Sequence, residues 1–211
     1  MITKKLLISS TFAVFALIGC GGGGSSSTAT TGYFVDAAVA NADYDCVADG
    51  NYNKVTGADG SFTCTNMAQV RFRVGNVVLG EINTLPADKY VFPQDLVGVA
   101  RDTGVNDARV TAMAQLLQSI DNDGNPSNGI AIAQETKTLL AETERAFNPA
   151  EVPLYLESAS INPAHRLSAS QAQQHLAQTL QSVSGTAQDA HDTAHDTAQD
   201  IHDTAHNIPS I

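Results

Sequence analysis

Four histidines near the C-terminal end carry the clearest chemical signal. Thr186-Ala187-Gln188-Asp189-Ala190-His191-Asp192-Thr193-Ala194-His195-Asp196 is echoed by Thr197-Ala198-Gln199-Asp200-Ile201-His202-Asp203-Thr204-Ala205-His206-Asn207, an 11-residue repeat. On a helix turning about 100° per residue, His191, His195, His202 and His206 fall within about 60° of arc. Asp189, Asp192, Asp196, Asp200 and Asp203 form the adjoining stripe. Residues i and i+4 are neighbours on a helix, so each His-x-x-x-His pair could bind Zn²⁺, Cu²⁺ or Ni²⁺ from one face. The carboxylates beside them would orient the imidazoles. Three other readings stand beside the metal. The histidines could charge near pH ~6.5 as a pH response. The alanine stripe could meet a partner helix. The repeat could also be a solvated duplication, since Thr, Asp and His are indifferent helix formers.

A second oxygen-rich run is Asp121-Asn122-Asp123-Gly124-Asn125-Pro126-Ser127-Asn128-Gly129. Asp121 and Asp123 are candidate calcium ligands. The run does not fit an EF-hand loop: starting at Asp121 puts Pro126 where Gly is required, and taking Gly124 as that Gly leaves Ile130 in place of the bidentate acid. A calcium loop of another kind and a hydrophilic helix-to-helix turn are both open. Asp59 has the same two readings, ligand or turn stabiliser. His165 and His175 stand apart in sequence and read as structural or surface histidines.

The third feature is at the other end. Lys4 and Lys5 precede an apolar run, Leu6 to Ile18, which closes on Leu17-Ile18-Gly19-Cys20. Thirteen helical residues span roughly 20 Å, short of a ~30 Å hydrocarbon core, so a removed signal fits better than a transmembrane helix. Leu17-Ile18-Gly19-Cys20 resembles the lipobox of bacterial lipoproteins. The resemblance implies cleavage before Cys20 and acylation of that cysteine with a diacylglyceryl group, and two chains suffice for stable anchoring. Gly21, rather than Asp, follows the cysteine. By the family's sorting rule this implies the outer membrane, with the leaflet open. Residues 20–31, rich in Gly and Ser, read as a flexible tether. With Cys20 assigned to lipid, Cys46 and Cys64 remain as an even pair in an exported protein, which implies a disulfide between them. A metal pair is the alternative, but two thiols without a nearby His make a poor zinc site.

Charge narrows the partners. The chain has 11 basic and 22 acidic residues; loss of residues 1–19 takes Lys4 and Lys5 and leaves 192 residues with 9 basic against 22 acidic, a net −13. No basic cluster exists to neutralise phosphates, so nucleic acid is not an expected partner.

The elements that must position these residues fall into two halves. From 32 to 83, short β runs alternate with turns: 32–36, 43–47, 61–65, 70–74 and 77–82 read as strands, and Asp49-Gly50-Asn51 as a loop. Val70-Arg71-Phe72-Arg73-Val74 alternates with period two, predicting one buried and one wet face. Val55-Thr56-Gly57-Ala58-Asp59-Gly60-Ser61-Phe62 resembles the turn of small Ig-like and transthyretin-like modules, which implies a scaffold on surface proteins and no catalytic residue. From 84 to 184 the pattern is helical. Residues 86–104 look irregular, with Val91-Phe92 and Leu96-Val97 free to dock on the core. Asn106 or Asp107 caps a helix to about Ile120, with Val110, Met113, Leu116, Leu117 and Ile120 inward. A second helix is predicted over 134–147, stopped by Asn148-Pro149, and a third from Ser168 or Ser170 to Ser184. The run Leu116 to Ile130 is similar to one in uncharacterised proteobacterial lipoproteins.

The expected fold is therefore α+β: a small antiparallel β-sandwich-like module, an α-helical region, and a low-complexity tail over 185–211. No nucleophile with a base, phosphate-binding loop or distinctive acid pair stands out. The expected function is non-enzymatic: a lipid-anchored surface or envelope protein acting in adhesion, binding or envelope assembly, with an envelope or surface protein as partner. The alternative is divalent-metal binding through the tail.

Overall fold

The computed structural model describes residues 28–185. The fold is α+β, strands first and helices after. Two sheets face one another. The smaller has three strands in the order β5 (Ser61–Cys64), β1 (Thr30–Phe34) and β8 (Tyr90–Val91). The larger has five, in the order β10 (Arg145–Ala146), β7 (Val77–Ile82), β6 (Val70–Val74), β3 (Asp43–Cys46) and β4 (Asn51–Val55). Alternating residues point between them. Phe34 and Phe62 from the smaller sheet pack on Phe72 from the larger, with ring centroids 4.9 and 5.0 Å apart. All three rings are buried, and aromatic pairs at this spacing add to the area they bury.

The β1–β5, β3–β4, β3–β6 and β6–β7 pairs are antiparallel. Three further pairings are parallel: β1 with β8, β7 with β10, and β2 (Val39–Ala40) with β9 (Ile130–Ala131). Strands β8, β9 and β10 all come from beyond residue 83. Each is only two residues long, and two residues carry no period that sequence could show. The main core accordingly mixes residues from Phe34 in β1 to Ala159.

The helical half is built from short pieces. α1 (Pro93–Val97) and α2 (Arg101–Gly104) lie where an irregular segment was expected, and Val91, Phe92 and Leu96 dock as predicted. α3 (Ala108–Ser119) starts at Asp107, whose side chain accepts from the Arg109 N–H. Its predicted inward residues Val110, Met113, Leu116, Leu117 and Ile120 are buried. α4 (Gln134–Leu139) stops well short of the expected 147. The Leu140 carbonyl accepts from the Asn76 N–H, and the chain then extends so that Arg145 and Ala146 pair with β7. Asn148-Pro149 begins structure rather than ending it. The Asn148 side chain caps Ala150, Pro149 enters a 3₁₀ turn, and α5 (Val152–Ser158) follows, as suits a proline in a first turn. The last described helix, α6, covers 169–185.

Two strand expectations need correction. Residue 51 opens edge strand β4 instead of staying in a loop, paired with β3 across a bulge. Arg73 was expected on a wet face and is buried, because Asp45 on β3 receives its guanidinium.

Candidate functional site

Cys46 ends β3 in the larger sheet and Cys64 ends β5 in the smaller, so their disulfide staples the two sheets together. The Cα atoms are 5.7 Å apart, within the ordinary range for a disulfide. Both residues are buried. Asp49 lies beside the pair, and its carboxylate accepts from the Thr65 and Asn66 N–H groups at 2.7 and 2.9 Å. Cys46, Asp49 and Cys64 are the one group of three close metal-type side chains among the described residues. With the sulfurs bonded to each other, no thiolate remains to ligate.

The Asp121 run is a stitched turn. Asp121 ends 2% exposed, accepting from the Ala131 N–H through Oδ1 and the Asn125 N–H through Oδ2, both at 2.8 Å. Asp123 accepts from the Asn125 N–H at 2.9 Å and from Asn128 Nδ2 at 3.0 Å. All four carboxylate oxygens thus have donors within the chain. Burial, with the Asp123 charge alongside, lifts the Asp121 carboxyl above its ordinary value, while the Asn128 amide and its other donors hold Asp123 below. His165 lies against the same turn: a Cβ at Gly124 would stand 2.7 Å from its ring. Asp121 and His165 line a cleft of about 260 Å³ together with Ile120, Glu135, Leu139 and Ile161. Asp59 serves its turn, accepting from the Ser61 N–H at 3.0 Å.

The least legible cluster surrounds Asp36, just past β1, which is 0% exposed. Gln118 of α3 donates from Nε2 to both Asp36 oxygens at 3.0 and 3.1 Å, and to the Ala172 carbonyl at 3.0 Å. His175 of α6 brings Nδ1 to 3.9 Å from Asp36 Oδ1, beyond hydrogen-bond reach. Burial pushes the Asp36 carboxyl up to about 6, with His175 and Gln118 pulling against it. In sequence Asp36 closes the 32–36 strand run, 82 positions before Gln118, and nothing local pairs the two. One signal was available: acids seldom follow a run such as Tyr33-Phe34-Val35 into a core unless something receives them.

His165 and His175, isolated in sequence, therefore each sit beside an Asp-bearing element. Cys20 and the candidate metal ligands His191, His195, His202 and His206 lie outside the described residues. No described helix is long and apolar enough to cross a membrane. No protein-family model matches the chain, and no curated protein and no solved structure matches it.

Proposed function

We propose that this chain is an exported, lipid-anchored envelope protein whose folded body is a non-enzymatic binding module, acting in adhesion or envelope assembly at the outer membrane. The observation that carries the reading is the buried Cys46–Cys64 disulfide between two sheets. Such a bond persists in oxidising compartments and is rare where thiols are kept reduced. With three cysteines in the sequence and Cys46 bonded to Cys64, no further cysteine is left to pair with Cys20, which suits acylation at the lipobox-like Leu17-Ile18-Gly19-Cys20. The Gly/Ser stretch before β1 then acts as a tether holding the two-sheet body clear of the lipid.

The test is metabolic labelling with an alkyne fatty acid in a bacterial host, followed by membrane fractionation. The wild-type chain should carry label and sediment with outer membrane, and Cys20→Ala should lose both. A Cys20→Ala chain that still fractionates with membranes would overturn the anchor. Recovery of Cys46 and Cys64 as free thiols would overturn the exported reading.

A further inference from the structure

α6 rests on a hydrophobic cluster of its own. Ala172 and Leu176 are buried against Val35, Phe92, Val110 and Ala114, and Leu180 and Val183 are partly buried farther along. This cluster is separate from the core that joins the two sheets to α3 and α5. Polar side chains of α3 hold the entry to α6: Gln115 Nε2 donates to the Leu167 carbonyl at 2.9 Å, and Ser119 Oγ accepts from the Leu167 N–H at 3.0 Å. At the middle of the seat is the Asp36 carboxyl.

Two groups face that carboxyl. α3 presents the neutral Gln118 amide and α6 presents the His175 imidazole; among the described residues no other charged side chain pairs with it. Two polar atoms here, His175 Nδ1 and Gln118 Oε1, are buried without a hydrogen-bond partner. Burying polar atoms in this way costs free energy, so the contact of α6 at Asp36 carries an unfavourable polar contribution.

We propose that α6 is a detachable arm whose seating is governed by the proton on Asp36: the arm sits firmly in mildly acidic surroundings and loosens toward neutrality. A protonated Asp36 is neutral and suits its dry site, whereas an ionised one has a single amide nitrogen as donor. The sign follows from the carboxyl's proton affinity. It is raised to about 6 in the seat and returns to the ordinary carboxylate value once the arm lifts and water reaches it. The seated form then binds more protons, so its advantage is full below the ordinary value and is lost as pH climbs through about 6. A positive charge on His175 favours the carboxylate, so the imidazole moderates the effect and its removal sharpens it. Lifting the arm would uncover Phe92 and Val110.

Amide hydrogen exchange read by mass spectrometry on the full chain tests this, with rates corrected for the intrinsic effect of pH. In the wild type, protection across residues 170–183 should fall on the order of 20-fold between about pH 4.5 and about pH 7, while protection of β6 stays constant. His175→Gln should show a fall at least as large. Asp36→Asn, isosteric with the neutral acid, should hold protection flat. A flat wild-type profile, an Asp36→Asn profile that follows the wild type, or loss of the fall in His175→Gln would each overturn the proposal. Should Asp36→Asn not fold, the carbon chemical shift of the Asp36 carboxyl in the wild type decides: a midpoint near 6 supports the seat, and one in the ordinary carboxylate range sinks it.

Discussion

Arg73 and Asp45 form a two-pronged ion pair on adjacent strands, Nε to Oδ2 at 3.0 Å and Nη2 to Oδ1 at 2.9 Å, with side chains only 9% and 6% exposed. The Gly75 carbonyl accepts Nη1 at 2.8 Å, and the Asn53 N–H donates to Asp45 Oδ1 at 2.8 Å. Alongside, Asp43 receives Lys137 from α4 at 2.9 Å. The second face of the larger sheet is thus covered by paired charge, where the sequence pattern pointed to water. Removing one partner leaves a buried charge alone, so Arg73→Met should lower unfolding stability by about 3–5 kcal/mol, read by urea denaturation. Asp45→Asn with Arg73→Met together should recover much of that loss. A single variant as stable as the wild type would show the pair to be inert.

Acid should weaken the fold through the same pair. Burial works against ionisation of Asp45, yet the Arg73 guanidinium and the Asn53 N–H outweigh it and hold the carboxyl below its ordinary value. A lowered carboxyl contributes stability that is present above the ordinary value and lost as pH falls through the lowered one. Stability measured by urea unfolding should therefore decline below about pH 4, and Asp45→Asn should flatten that decline. An unchanged acid limb in Asp45→Asn would assign it to other groups.

The disulfide should act mainly on the unfolded chain. Its partners are 18 residues apart, and a loop of that size is worth roughly 3 kcal/mol in the chain-entropy model. The double variant Cys46→Ala, Cys64→Ala should lose about that much, with its circular dichroism unchanged. Equal stability of the two proteins would contradict the staple.

Aromatic residues of this chain should differ sharply in what they contribute. Phe72 is fully buried against Phe34, Phe62 and Tyr44, so Phe72→Ala should cost about 3–5 kcal/mol. Tyr52, on edge strand β4, is 54% exposed, and Tyr52→Ala should change stability by less than about 0.5 kcal/mol. Thermal unfolding of the two variants side by side gives the comparison, and similar losses would refute the assignment of the core.

Two glycines with left-handed backbones should separate strain from crowding. Gly75 has φ 58° in the β6–β7 turn, and an added Cβ would stand 2.3 Å from the Lys137 carbonyl oxygen. Gly50 has φ 67° with nothing within 4 Å. Gly50→Ala should cost about 1–2 kcal/mol from backbone conformation alone, and Gly75→Ala distinctly more, because α4 must move. Equal losses would mean that α4 yields freely at this point.

Local structure is legible in the sequence where a period or a cap exists. The five strand runs between 32 and 82, a cap at Asn106 or Asp107 and the inward stripe of α3 all follow from side-chain alternation and capping chemistry. Elements too short to show a period, such as β8, β9, β10 and α1, were out of reach. So was the early end of α4, which is set by hydrogen bonds to Asn76 and β7 that lie more than 60 residues away in the chain.

The candidate sites divide along the same line. The sequence by itself determined the class of the fold, the inventory of three cysteines and the 11-residue repeat, because composition and spacing are local properties. It also brought forward Cys46 and Cys64 as a pair. Only the tertiary structure decided that their bond joins opposite sheets, that Arg73 is buried and that Asp36, Gln118 and His175 meet. The reason is electrostatic and steric. Whether a polar side chain sits in water or in a dry seam depends on what the rest of the chain folds over it, and Asp36 is covered by residues 82 and 139 positions further along.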